Sequence, residues 1–188
     1  MEYFEFASVI KKRRAISIAQ NGFRMTIAHD LKQKAHRGPH LALECSLPSE
    51  VTAISPFVDK LMLLLRNCSC VPEGVGDVEI ALREALANAI IHGNHEDRRK
   101  HVHVTCRCEP DEVSIAVKDE GSGFDINTVP DPTVRENIGS VHGRGILMMK
   151  ALMDEVRFEE GGVIVHMRKS VVEAPKLLAK DPHENESN

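Results

Sequence analysis

Glu84 and Asn88 stand four residues apart in a run rich in alanine and leucine. An acidic glycine turn, Asp119-Glu120-Gly121-Ser122-Gly123, follows them, and a second turn, Gly143-Arg144-Gly145, comes later. Four residues is about one helical turn, so the carboxylate and the amide share a helix face. A carboxamide oxygen is a hard, neutral ligand that suits a Mg²⁺ ion already surrounded by phosphates and water. A carboxylate one turn away can take a proton from a hydroxyl or a water. The simpler reading is a solvated helix edge. Such an edge more often carries Lys or Glu, however, and Asn is a poor helix former at mid-helix. His92 continues the same four-residue series.

Val113, Ile115 and Val117 alternate along an expected strand, and Asp119 closes their series. Its carboxylate should therefore arrive from the core side at the strand's end. Glycines in the turn that follows would let a flat ring approach the backbone, where the carboxylate can accept a hydrogen bond from the exocyclic amine of adenine. The plainer alternative is a turn aspartate bonded within its own loop, with Gly121 and Gly123 supplying positive φ. Gly143 and Gly145 directly precede the apolar stretch from Ile146 to Met149. Small residues at a helix start leave backbone N–H groups available to phosphate oxygens, and Arg144 can add charge-assisted bonds. Each piece alone is a weak signal. Together they describe a nucleotide site.

Regular elements must hold these residues in place. A strand is expected from Leu41 to Ser46, and Pro48-Ser49-Glu50 opens a helix to about Arg66, with Ile54, Phe57, Val58, Leu61, Met62 and Leu65 at helical spacing. Val51, Met62 and Leu64 widen that apolar face, so part of it is expected to meet another protein chain unless the core absorbs it all. A second helix runs from Asp77 to His92 and should be closed by Gly93-Asn94 as a C-cap. Its core face is Val78, Ala81, Leu82, Ala85, Leu86 and Ala89. Strands follow at about 100–108 and 112–119, then a long loop from Gly121 to His142 and a third helix over about 144–152. Strands near 154–159 and 162–169 meet at Glu160-Gly161-Gly162, a hairpin signal. The pattern predicts an α+β domain, a largely antiparallel sheet covered by helices.

Residues 1–38 hold eight Lys/Arg against three Asp/Glu and are expected to form a basic extension, disordered or partly helical, before a domain at 39–170 and a polar tail at 171–188. The 188 residues carry a net charge of −4, which gives no general attraction to nucleic acid or to a membrane surface. No apolar run approaches the ~18 residues needed to cross a bilayer, and no signal peptide is visible, so the expected location is the cytoplasm. The odd count of five cysteines fits reduced thiols. Cys68-x-Cys70 and Cys106-x-Cys108, with His101 and His103 nearby, invite a zinc reading. Alternation opposes it, because the two histidines fall on one face of the strand and Cys106 and Cys108 on the other.

The run from Glu84 through Asn88 to His92-Gly93-Asn94, then Lys118 to Phe124, then Gly143-Arg144-Gly145, resembles the asparagine box and the two glycine boxes of the histidine-kinase-like ATPase superfamily. Pro130-Asp131-Pro132-Thr133, Glu136-Asn137 and Leu152 to Val156 are similar to the bacterial anti-sigma factor serine kinases. The resemblance covers about residues 40–170. It implies a Bergerat-type fold that holds ATP and Mg²⁺ beneath a lid at 124–142. Asn88 would ligate Mg²⁺, Asp119 would bind adenine, and Glu84 would be the base that activates the acceptor hydroxyl. Gly121, Gly123, Gly143 and Gly145 would shape the nucleotide loops. It further implies a serine/threonine kinase that phosphorylates an anti-sigma factor antagonist of the STAS type and sequesters a sigma factor, as a homodimer. Two alternatives stand beside it: an ATP-binding partner-switching module without phosphotransfer, and the catalytic piece of a two-component histidine kinase. The latter lacks a preceding helical hairpin. Retention of Glu84 favours the kinase. Two positions depart from the family pattern: Gly161-Gly162-Val163 replaces a common Gly-Thr, and Val141-His142 stands where some relatives carry a basic or small polar residue.

Overall fold

The computed structural model describes residues 16–20, 23–28, 41–67, 76–109, 111–124 and 143–170. Seven strands form one sheet: β1 (Ile16–Gln20), β2 (Phe23–Ala28), β3 (Leu41–Pro48), β4 (His101–Cys108), β5 (Glu112–Lys118), β6 (Glu155–Glu159) and β7 (Ile164–Ser170). Their spatial order is β1-β2-β3-β4-β5-β7-β6, and every neighbouring pair is antiparallel. The helices are α1 (Ile54–Asn67), α2 (Gly76–Ala87) and α3 (Arg144–Leu152). A short 3-10 turn, Val51–Ala53, leads into α1. Pro56 falls in that helix's first turn, where the missing N–H is no loss.

Period-two alternation decides which sheet face is covered. Leu41, Leu43, Cys45 and Leu47 of β3, Val102, Val104, Cys106 and Cys108 of β4, and Val113, Ile115 and Val117 of β5 are all buried, while the residues between them are not. The buried series meets Phe57, Leu61 and Leu65 of α1, Leu82 and Leu86 of α2, and Met149 of α3 in one core. The fold is therefore α+β, a single antiparallel sheet with helices on one face, as expected. No helix among the described residues is long and apolar enough to cross a membrane.

Three expectations need correction. Ile16–Gln20 and Phe23–Ala28, expected to be disordered or helical, are paired strands that extend the sheet beyond β3. The wide apolar face of α1 is absorbed by the core: Met62 and Leu64 are buried along with the main stripe, and only Val51 and Leu63 are left exposed. Among the described residues, the sheet and the neighbouring helix thus take up most of that face. The cysteines do not form one class. Cys45 and Cys106 are free and buried, and burial pushes both thiols up to about 12. Cys108, by contrast, is disulfide-bonded. On β4, His101 and His103 face outward, opposite the cysteines, as alternation required. The lid at 124–142, beyond Phe124, and the polar tail beyond Ser170 lie outside the described residues.

Candidate functional site

The helical repeat changes at Asn88. Gly76–Ala87 is α-helical, but Asn88–Gly93 continues as a wider π-helical turn, in which the Asn94 N–H donates to the Ala89 carbonyl five residues back at 2.8 Å. Such turns are rare and recur at functional sites. Here the wider turn brings Asn88 and Gly93 to the same cavity wall, while His92 faces solvent. The even Glu84-Asn88-His92 stripe expected from α-helical spacing therefore ends at Asn88.

Asp119 arrives as the strand series required. It is 5 % exposed, one residue beyond β5, and its N–H donates to the Val163 carbonyl at 3.1 Å. Its Oδ1 accepts from the Gly121 N–H at 2.7 Å. Burial holds the carboxyl above its ordinary range, although the Gly121 N–H bond and the charges of Lys100 and His95 pull the other way. A side chain on Gly93 would collide with this carboxylate, and one on Gly121 would collide with the Gly93 carbonyl. Neither glycine has positive φ. Gly93 is therefore required for space and not as a left-handed C-cap, and the same holds for Gly121. Gly123 does take positive φ, at 75°.

The second glycine turn sits against the helix carrying Glu84. Gly143 caps α3 in the left-handed region, φ 89°, and its carbonyl accepts the Leu147 N–H at 3.0 Å. A Cβ at Gly145 would lie 2.7 Å from Glu84 Oε2 and 3.4 Å from each polar atom of the Asn88 amide. The absent side chain thus allows the first turn of α3 to rest on both side chains. Glu84 and Asn88 are half-buried, and Arg144 is exposed at the first position of the helix. It does not line the cavity.

Asn88, Gly93 and Asp119 line one narrow cavity of about 20 Å³ together with Ala85, Phe124 and Gly162. Phe124 donates its N–H to the Gly161 carbonyl at 2.7 Å and meets Phe158 edge-on, ring centres 6.0 Å apart. The structure thus brings Glu84, Asn88 and Gly145 together in one group and Asp119, Gly121 and Gly93 in another, and of these Asn88, Gly93 and Asp119 share the cavity. Phe124 and Phe158 are walls of this cavity that the sequence pattern does not mark, and Gly93 is small for space and not for capping. The signal for Phe124 was its place directly after Gly123; Phe158 gave none.

This arrangement, an antiparallel sheet under helices with an amide helix, an aspartate turn and a glycine-started helix around one cavity, defines an ATPase class. Residues 47–169 match the histidine kinase-like ATPase domain, and the chain belongs to that family. It is similar to the anti-sigma F factor of Oceanobacillus iheyensis, 27% identical over 132 residues that cover 67% of this chain and 80% of that protein. It is also similar to the serine-protein kinase RsbW of Bacillus licheniformis, 35% identical over 106 residues, 52% of this chain and 65% of the relative. The serine-protein kinase RsbW of Bacillus subtilis is 35% identical over 104 residues, 50% and 64% of the two chains. This chain thus spans just under two thirds of these two kinases. The hairpin β1-β2 lies outside the matched domain.

Proposed function

We propose that this protein is an ATP-using anti-sigma factor serine/threonine kinase, which phosphorylates an antagonist protein and sequesters a sigma factor. The observation that carries the proposal is Gly145 resting against both Glu84 and Asn88 at the first turn of α3. A carboxylate, an amide oxygen and a helix start then meet where transferable phosphate would lie.

In this reading Asp119 accepts from the exocyclic amine of adenine, with Gly93 and Gly121 leaving room for its carboxylate. The N–H groups in the first turn of α3 receive phosphate oxygens, and Arg144 supplies positive charge beside them. Asn88 suits Mg²⁺, because its oxygen is a hard donor held half-buried next to that helix start. When bound, the ion neutralises phosphate charge. Glu84 takes the proton of a serine or threonine hydroxyl as its oxygen attacks the γ-phosphorus. The bond from that phosphorus to the bridging oxygen breaks and ADP leaves.

Relatives named for kinase activity and for anti-sigma activity support this assignment. A STAS-type antagonist and a homodimeric state belong to the same proposal. The alternative, an ATP-binding partner switch without phosphotransfer, would not require a carboxylate at Glu84. Incubation with γ-labelled ATP, Mg²⁺ and single-domain antagonists encoded beside this protein tests the choice. Label should appear on serine or threonine of one antagonist, and ATP binding without any transfer would favour the partner switch.

A further inference from the structure

Asn94 is wholly buried, and both ends of its amide are used. Nδ2 donates to the His101 carbonyl at 2.9 Å, and Oδ1 accepts from the Glu120 N–H at 2.8 Å. Its own N–H closes the π turn on Ala89. One side chain thus joins the end of the π turn, the first residue of β4 and the turn after β5. The Glu120 N–H belongs to the peptide plane that begins at Asp119, so holding it fixes the backbone from which the Asp119 carboxylate projects. The residue preceding Asn94 is Gly93, the wall against which that carboxylate packs. Glu120 strengthens the joint: its Oε2 accepts from the His101 N–H at 3.1 Å, and its Oε1 lies 3.0 Å from His103 Nε2.

We propose that Asn94 is a positioning residue for base selection, setting the Asp119 carboxylate so that the pocket prefers a 6-amino purine to a 6-oxo purine. The inference rests on Asp119 as the acceptor for the base. A fixed carboxylate rewards a donor at position 6 and repels a carbonyl oxygen there. A carboxylate free to turn aside loses both effects, so discrimination between the two bases narrows.

Binding of fluorescent ATP and GTP analogues to the full chain tests this, with melting curves taken on the same samples. Asn94→Ala should weaken ATP about tenfold, the usual worth of the hydrogen bond that adenine's amine makes to a carboxylate no longer held in place, while GTP changes by less than about twofold, so the ratio narrows. Asn94→Thr fills more of the space without supplying both bonds, and it should show the same narrowing if the alanine variant does not fold. A melting point that falls while ATP and GTP weaken equally would mean that Asn94 is structural only, and would overturn the inference. Asp119→Asn is the control. If it binds ATP like the parent, the base-acceptor reading fails and the inference fails with it. If it loses ATP while the Asn94 variants keep the parent's ratio, the inference alone fails.

Discussion

At the scale of the residue, the roles proposed for Asp119 and Glu84 are distinct and separable. Burial holds the Asp119 carboxyl above its ordinary value of 3.8. Because the folded state favours its protonated form, its ionisation subtracts stability as pH rises from the unfolded value through the raised folded value. Binding responds with the opposite sign. The charged acceptor is present above the raised value and disappears as pH falls through it, so ATP affinity should begin to drop at a pH above the usual carboxylate range. Titration of ATP at descending pH checks this, and affinity that stays flat through that range would contradict it. Glu84 should serve transfer and not binding: Glu84→Ala is expected to hold ATP affinity within a few-fold while phosphotransfer falls by roughly 10²–10⁴. Transfer at the parent's rate would remove Glu84 from the mechanism. The placement of both residues was legible in the sequence, because helical spacing and strand alternation are local rules. The reason for Gly93 was not. Its constraint comes from the Asp119 carboxylate on another element, and a glycine that follows a helical run reads as a C-cap until that neighbour is known.

At the scale of the element, the glycines separate stability from activity. A methyl at Gly121 would strike the Gly93 carbonyl, which is backbone and cannot move aside cheaply. Gly121→Ala should therefore cost about 1–3 kcal/mol of stability as overpacking, read as a lowered denaturant midpoint. A methyl at Gly145 meets first the carboxylate end of Glu84, a flexible side chain. Gly145→Ala should leave the midpoint nearly unchanged while it displaces Glu84 and slows phosphotransfer. Equal midpoint losses in the two variants would contradict this account of their packing. Strands β3 to β7 and the three helices were readable from the sequence to within a few residues. The π turn was not, because one added residue per turn hardly alters the apolar pattern. The hairpin β1-β2 was obscured by the basic composition around it. Its signals were present nonetheless: Phe23, Met25 and Ile27 alternate with Arg24 and Thr26, and Asn21-Gly22 is the dipeptide favoured between hairpin strands.

At the scale of the whole molecule, one core unites the sheet face with all three helices, and the candidate site lies where α2 and α3 meet the ends of β5, β6 and β7. Leu61 of α1 and Leu82 of α2 are fully buried in that core. Leu61→Ala should cost about 2–5 kcal/mol without altering the nucleotide affinity of the fraction that remains folded. The α+β architecture was legible because alternation sorts β3, β4 and β5 unambiguously into a covered and an open face. The extent of the core was less so: sequence shows how wide the apolar face of α1 is, but not how much sheet lies opposite. The central claim is a nucleotide site with Asp119 at its base-binding end. Calorimetric titration of Mg²⁺–ATP into the parent chain and into Asp119→Asn tests it most directly. The parent should bind, and the variant, whose carboxylate acceptor has become a mixed donor and acceptor, should show no measurable binding. Unchanged ATP affinity in Asp119→Asn would contradict it.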